Sequence, residues 1–190
     1  PNAAPIQDLL DFSRRSRYVL LAQLNHTKIA QRDTMPNDTR FDQQWDFFND
    51  GTNGDPISGS ADISATQAWE IETGGFTAKG DRIVVAVIDG GFFMSHEDLN
   101  FYNNPHEIPG NGMDDDGNGY IDDVEGWNAY SSSGNITNGS HGTHVAGTVG
   151  AIGNNNQGVT GVNWDVEVMA IQGSSGFESV VIEAYGYALE

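Results

Sequence analysis

The sequence predicts an α/β fold, a parallel β-sheet flanked by helices, that is incomplete in this chain. Two apolar segments rich in β-branched residues, 83–88 (IVVAVI) and 166–171 (VEVMAI), are bounded by turn-forming residues. Strands covered by helices on both faces have such continuous apolar runs. A helical pattern follows each segment, and this alternation favours a parallel sheet. Two or three strands are few for such a sheet, so we expect further strands outside this chain.

Taken in order, the pattern predicts a helix over 6–17, a strand over 18–24, and a helix over 63–72 that Asp62 or Ser64 caps and Gly74-Gly75 ends. The strand 83–88 follows, buried on both faces. An acidic, glycine-rich loop region covers 100–140, and a helix spans 141–152. Small residues along that helix (Gly142, Ala146, Gly147 and Gly150) predict close packing. The strand 166–171 and a helix over 177–190 complete the order.

Charge limits the partners of this 190-residue chain, whose net charge is −19. Residues 41–190 hold 23 of the 27 acidic residues and two of the eight basic ones. Such a surface repels nucleic acid and anionic lipid and attracts cations such as Ca²⁺. No apolar run approaches the roughly 20 residues of a membrane span. The absence of cysteine excludes disulfides, thiolate metal sites and a cysteine nucleophile, without fixing the compartment.

Asp89 and His141 are the candidate catalytic residues. Asp89 ends the first buried strand, where open α/β sheets place functional groups, although an aspartate there could also be a turn former or a helix cap. His141 begins a glycine-flanked helix. A carboxylate that binds its Nδ1 would leave Nε2 to act as a base.

Both residues lie within longer patterns, VVAVIDGGFFMSHEDL (84–99) and SHGTHVAGTVGA (140–151). These resemble the aspartate and histidine blocks of the subtilisin-like serine peptidases, the subtilases. SATQAWEIETGG (64–75) and PNDTRFDQQW (36–45) are similar to earlier segments of the same catalytic domain. The resemblance covers about residues 35–190. It implies a subtilisin-like fold and a serine endopeptidase whose triad uses Asp89 and His141.

The third block of the family, which carries the nucleophilic serine, has no counterpart here, nor does the oxyanion-hole asparagine. Ser174, Ser175 and Ser179 lack its context, so this chain alone is expected to be inactive. We expect the nucleophile on the remaining C-terminal part of the catalytic domain, a partner of this chain. By resemblance, Ser174, Ser175 and Gly176 line the cleft and pair with a peptide or protein substrate.

Two alternatives remain. His141, His144 and Asp89 could imitate a zinc site, although zinc peptidases space helical histidines at i, i+4 with a glutamate between them. The resemblance makes His144 a buried packing residue instead. The chain could also be an inactive calcium-binding homologue or a scaffold.

Residues 114–125 (DDDGNGYIDDVE) match the template of an EF-hand loop. The expected Ca²⁺ ligands are Asp114, Asp116, Asn118, the Tyr120 carbonyl, Asp122 and Glu125, with Asp123 as an alternative to Glu125. The flanks do not predict paired helices, so we expect an EF-hand-like insertion, with a solvated acidic loop as the alternative. By resemblance, a second Ca²⁺ site involves Asp98 and the loop 152–159, with Asn154 as its candidate ligand.

The resemblance also divides the chain. Residues 1–33 are similar to the tail of a subtilase propeptide, with an ordinary N-terminal extension as the alternative, and residues 34–190 are the N-terminal part of the catalytic domain. The family implies a secreted protein, extracellular or periplasmic, that is made as a zymogen.

Overall fold

The computed structural model describes residues 34–52 and 61–190 of the chain. The segment 1–33, with its predicted helix over 6–17 and strand over 18–24, lies outside the described residues. The elements are a short 3-10 helix at Phe41–Gln43, helices α1 (Ala65–Ala68), α2 (Ser140–Gly150) and α3 (Glu178–Tyr187), and strands β1 (Val84–Asp89), β2 (Gly126–Asn128) and β3 (Glu167–Gln172).

The three strands form one parallel sheet in the order β1-β3-β2. The register pairs the last residues of all three strands, so that Gln172 lies between Asp89 and Asn128. Carboxyl ends of parallel strands therefore meet at one edge of the sheet. The predicted α/β class with a parallel sheet is confirmed.

Helices cover both faces of this sheet. Val87 belongs to an apolar cluster with Ala146 of α2, whereas the next residue, Ile88, packs with the cluster of Ala184 in α3. Successive side chains of a strand point to opposite faces, so α2 and α3 lie on opposite sides. Strand β1 is less buried than predicted, since Val84 and Ala86 are exposed. The reason is that β1 pairs with β3 alone among the described strands.

Two glycines set how closely α2 approaches the sheet. A Cβ at Gly150 would lie 2.7 Å from Cγ2 of Val166, and a Cβ at Gly142 would lie 2.9 Å from Cβ of Asp89. Gly142, Ala146 and Gly150 are buried, as predicted. Gly147 is different, because no atom of the described residues outside its own helical turn lies within 4 Å of its Cβ position, and it borders a cavity.

Three local predictions were wrong. Helix α1 has four residues instead of ten, and neither proposed residue caps it: Ser64 is left-handed at φ 55°, and the Asp62 carboxylate accepts hydrogen bonds from the amides of Asn49 and Ser64. Strand β2 lies inside the predicted loop region. Its three residues are too few to show a period, and pairing with β3 creates the strand.

No helix among the described residues is long and apolar enough to cross a membrane.

Candidate active site

The imidazole of His141 and the carboxylate of Asp89 form a hydrogen-bonded pair. Nδ1 of His141 lies 2.8 Å from Oδ2 and 3.0 Å from Oδ1 of Asp89. The Asp89 side chain is 12 % exposed and that of His141 is 83 % exposed. The carboxylate therefore occupies Nδ1, and Nε2 is the ring nitrogen left to exchange protons with a reacting group.

The carboxyl end of β1 and the start of α2 bring the two residues of this pair together. Asp89 is the last residue of β1, and its Oδ1 also accepts a hydrogen bond from the amide of Gly90 at 2.7 Å. His141 is the second residue of α2. A Cβ at Gly91 would lie 2.6 Å from the Thr137 carbonyl oxygen, so the approach of the two segments requires a glycine there. Gly90 has open space around its Cβ position, so only the second glycine of the pair has this role.

The segment predicted to line the substrate cleft continues from the same sheet edge. The amide of Gly173 donates to the Asp89 carbonyl oxygen at 3.0 Å, and Ser174–Gly176 follow as exposed residues. The phenol oxygen of Tyr130 accepts from the Ser175 amide at 3.1 Å and lies 3.1 Å from Ser175 Oγ. These bonds stabilise the phenolate, so the pKa of Tyr130 lies below its usual value. Sequence reasoning missed Tyr130, because nothing in the sequence joins it to Ser175.

The acidic loop lacks flanking helices, as predicted, and its carboxylates differ in burial and in hydrogen-bond partners. One oxygen each from Glu107, Asp114 and Asp116 lie within 4.8 Å of one another. Glu107 is 6 % exposed and accepts hydrogen bonds from the amides of Asp115, Asp116 and Asp122. Sequence reasoning missed Glu107 because it precedes the matched motif by seven residues, and no feature of the sequence around it indicates its burial.

The other predicted ligands of the loop surround this cluster in different ways. The side-chain Nδ2 of Asn118 donates to Oδ2 of Asp123 at 3.2 Å. The Asp122 carboxylate accepts from the amides of Asn111 and Gly112. Glu125 is exposed, whereas Asp123 is 1 % exposed. The hydrogen bond from Asn104 is the main reason why the pKa of the Asp116 carboxyl lies below its usual value.

A second pair of carboxylates lies where the resemblance implied another ion. Asp98 is 3 % exposed and accepts from the Asn155 side chain at 2.8 Å and from the Val159 amide at 3.1 Å. Asp38 is 5 % exposed, and its Oδ2 accepts from the Asn154 amide at 2.7 Å. Its Oδ1 is buried and has no hydrogen-bond partner within residues 34–52 and 61–190. Burial raises the pKa of Asp38, and the charge of Asp98 raises it further.

Asn154 contacts this second pair only through its amide N–H, which is a donor and cannot bind a cation. The side chain that contacts Asp98 belongs to its neighbour Asn155. Asp38 was missed because no spacing rule connects residue 38 with residue 98. His144 is exposed rather than buried. The metal-compatible cluster found in the described part of the chain includes neither His141 nor His144.

A parallel sheet with an aspartate at a strand end, hydrogen-bonded to a histidine at the start of the next helix, defines an α/β protein with an aspartate–histidine pair at the carboxyl edge of its sheet. The sequence profile of the Subtilase family matches residues 80–189. The chain belongs to this family of peptidases.

Individual relatives are similar to smaller or larger parts of the chain. The Subtilisin-like protease 1 of Plasmodium falciparum is 48 % identical over 83 residues, which are 42 % of this chain and 12 % of that protein. The Extracellular protease of Xanthomonas campestris is 36 % identical over 150 residues, 72 % of this chain and 22 % of that protein. The Alkaline protease of Alkalihalobacillus alcalophilus is 36 % identical over 126 residues, 65 % of this chain and 27 % of that protein.

Among solved structures, a protease from Pseudoalteromonas arctica is similar at a TM-score of 0.47 and 26 % identity, over 78 % of this chain and 42 % of that one. The chain thus spans about a quarter or less of the length of most of these relatives.

Proposed function

We propose that this chain is the N-terminal part of a secreted, calcium-dependent serine endopeptidase. The bond between His141 Nδ1 and Asp89 carries the proposal, because it orients an exposed imidazole with Nε2 unused. Membership of the subtilase family supports the reaction class. The serine is supplied by the remaining C-terminal part of the catalytic domain.

In the complete enzyme, Nε2 of His141 takes the proton of that serine hydroxyl as the oxygen attacks the carbonyl carbon of a peptide bond. Asp89 holds the ring through Nδ1 and stabilises the imidazolium that forms. The same proton then passes to the leaving amine, and water hydrolyses the acyl-enzyme with His141 again as base.

The substrate is an extended peptide that pairs with Ser174, Ser175 and Gly176 by β-augmentation. These residues are exposed and follow β3 directly past the carboxyl end of β1, where Asp89 lies. The bonds between Tyr130 and Ser175 support this role, because they restrict a segment that must otherwise lose entropy when it binds.

Calcium fits two groups of residues in this chain. Ca²⁺ takes six to eight oxygen ligands, mainly from carboxylates and carbonyls. Glu107, Asp114 and Asp116 supply three carboxylates at one place, and Asp38 and Asp98 are two further buried carboxylates whose charges interact. Oδ1 of Asp38, buried and without a partner among the described residues, supports a cation at this place, because a buried acceptor left unsatisfied is costly. A bound ion neutralises these charges and fixes the loops that carry them.

Secretion is supported by relatives from Xanthomonas campestris and Dichelobacter nodosus that are named as extracellular proteases. We also propose that residues 1–33 are the tail of a propeptide. That segment contains five of the eight basic residues, and its charge complements the acidic catalytic part.

The test uses the full-length gene product and a fluorophosphonate probe, which labels only an activated serine. We expect the label on a peptide from the C-terminal part and none within residues 34–190. His141→Ala should abolish labelling, whereas Asp81→Asn, an exposed aspartate before β1, should leave it unchanged. Absence of labelling in the folded wild type, with calcium still bound, would establish the inactive calcium-binding homologue or scaffold. Activity that a zinc-selective chelator removes, without labelling, would establish a zinc hydrolase.

A further inference from the structure

Gln172 is a buried amide at the centre of the catalytic edge of the sheet. It is the last residue of β3, lies in register between Asp89 and Asn128, and is 2 % exposed. A buried carboxamide must satisfy its donors and its acceptor within the protein. The partners of this one therefore indicate what the side chain holds in place.

Those partners come from the two segments that carry the Asp–His pair. Nε2 of Gln172 donates to the Gly90 carbonyl oxygen at 2.8 Å and to Thr137 Oγ1 at 2.9 Å. Its Oε1 accepts from the Thr137 amide at 2.5 Å. Gly90 follows Asp89 directly, and Thr137 precedes His141 by four residues. One side chain thus fastens the end of β1 to the entry of α2.

The imidazole has little else to hold it. The His141 side chain is 83 % exposed, so packing does not fix its distance from Asp89. That distance depends on where the backbone enters α2. The amide of Phe92 donates to the Thr137 carbonyl oxygen at 2.9 Å, which gives Thr137 a further bond to the strand that follows Asp89. Every polar backbone group of Thr137 is consequently directed to the Gln172 amide or to the Asp89 segment.

Asn128, the last residue of β2, holds the loop that leads from β2 to α2 in a similar way. It is 5 % exposed, its side-chain amide donates to the Asn135 carbonyl oxygen at 2.9 Å, and its Oδ1 accepts from the Tyr130 amide at 3.1 Å. The loop from 130 to 137 therefore starts and ends on buried amides of the sheet edge. Of the two, Gln172 is the one that reaches Gly90 and so the Asp89 strand.

We propose that Gln172 is a positioning residue of the catalytic pair: it fastens Thr137 to Gly90 and thereby sets the hydrogen-bond distance between His141 and Asp89. The inference rests on the proposed peptidase function. It predicts a defect in the chemical step rather than in substrate binding, because the side chain is buried and is not offered to the substrate.

The test compares Gln172→Met, which keeps the length of the side chain and removes its hydrogen bonds, with wild type in the full-length protein. A displacement of catalytic groups by about 1 Å can cost up to a hundredfold in rate, so we expect kcat to fall about 10- to 100-fold and KM to change less than threefold. The Thr137 amide should exchange with solvent about tenfold faster, because it loses its acceptor. A milder variant, Thr137→Val, removes one of the three bonds and should lower kcat less.

Gln44→Met is the matched control. Gln44 also uses both amide atoms, bonding the backbone N–H and carbonyl oxygen of Thr160, but it lies in another part of the structure. Its replacement should lower thermal stability, with kcat within about twofold of wild type and the Thr137 amide exchanging as before.

The outcomes separate the two proposals. If wild type is active and kcat for Gln172→Met falls no further than for Gln44→Met, or Thr137 exchange is unchanged, the positioning role is overturned and the peptidase proposal stands. If Gln172→Met does not fold, Thr137→Val decides in the same way. A folded wild type without activity or probe labelling overturns the proposed function, and the role of Gln172 with it.

Discussion

The amide of Asn154 donates a 2.7 Å hydrogen bond to Oδ2 of Asp38 across 116 residues of chain, while Oδ1 of the same carboxylate is buried and has no partner among the described residues. Burial raises the pKa of Asp38 above its usual 3.8, and the charge of Asp98 raises it further. A raised folded-state pKa means that stability from protonated Asp38 is present at acid pH and is lost as pH rises through that pKa. At neutral pH the ionised group opposes folding unless a cation neutralises it.

Asp38→Asn should therefore change thermal stability in opposite directions with and without calcium. In chelator the variant should melt above wild type at neutral pH, since a buried charge has been removed. In Ca²⁺ at about a hundredfold excess over Kd, binding adds about 2.7 kcal/mol, or about 5–10 °C for a domain of this size, and the variant should lose most of that gain. Scanning calorimetry measures both. Asp42→Asn, an exposed neighbour, should shift neither melting temperature.

Glu107 and Glu125 are alternative Ca²⁺ ligands of the acidic loop. The EF-hand template places Glu125 in the ion shell, whereas the described contacts bring Glu107 to Asp114 and Asp116 and leave Glu125 exposed. Glu107→Gln should weaken Ca²⁺ binding about tenfold or more, because it removes a charge from the shell. Glu125→Gln should change it less than about twofold. Calorimetric titration of both variants gives the answer, and the reverse order would restore the template assignment.

Two glycines of α2 should respond to alanine in opposite ways. A Cβ at position 142 would clash with the Gly91 carbonyl oxygen, so Gly142→Ala should destabilise the fold by about 1–3 kcal/mol. Gly147→Ala meets open space in the middle of a helix and should stabilise it by up to about 1 kcal/mol. Urea unfolding measures both. Equal destabilisation would mean that the helix does not approach β1 as described.

Tyr130→Phe tests the support of the cleft segment. The variant removes both hydrogen bonds to Ser175, which together restrict the strand proposed to pair with substrate. In the full-length enzyme we expect KM for an extended peptide to rise about 3- to 10-fold, the loss of roughly 1 kcal/mol, with kcat within about threefold. Tyr185→Phe, an exposed tyrosine of α3, is the control. A fall in kcat at constant KM would contradict the assigned role.

Local sequence patterns were sufficient for the fold class and for the family. The apolar runs over 83–88 and 166–171 predicted parallel strands, and glycine-flanked His141 after a strand ending in Asp89 formed a pattern specific enough to indicate a family. These features depend on residues that are neighbours in sequence, so the sequence alone predicts them. For the same reason, the predicted boundaries of α2, β3 and α3 lie within one to three residues of the observed ones.

Contacts between distant residues were decided by tertiary structure alone. Asp38 meets Asn154, Tyr130 meets Ser175 and Gln172 meets Thr137, across 116, 45 and 35 residues of chain. Strand β2 exists only because β3 offers it hydrogen-bonding partners. A residue's type shows what it can bind; only the register of the sheet and the close approach of α2 determine which partner, many residues away, lies within reach.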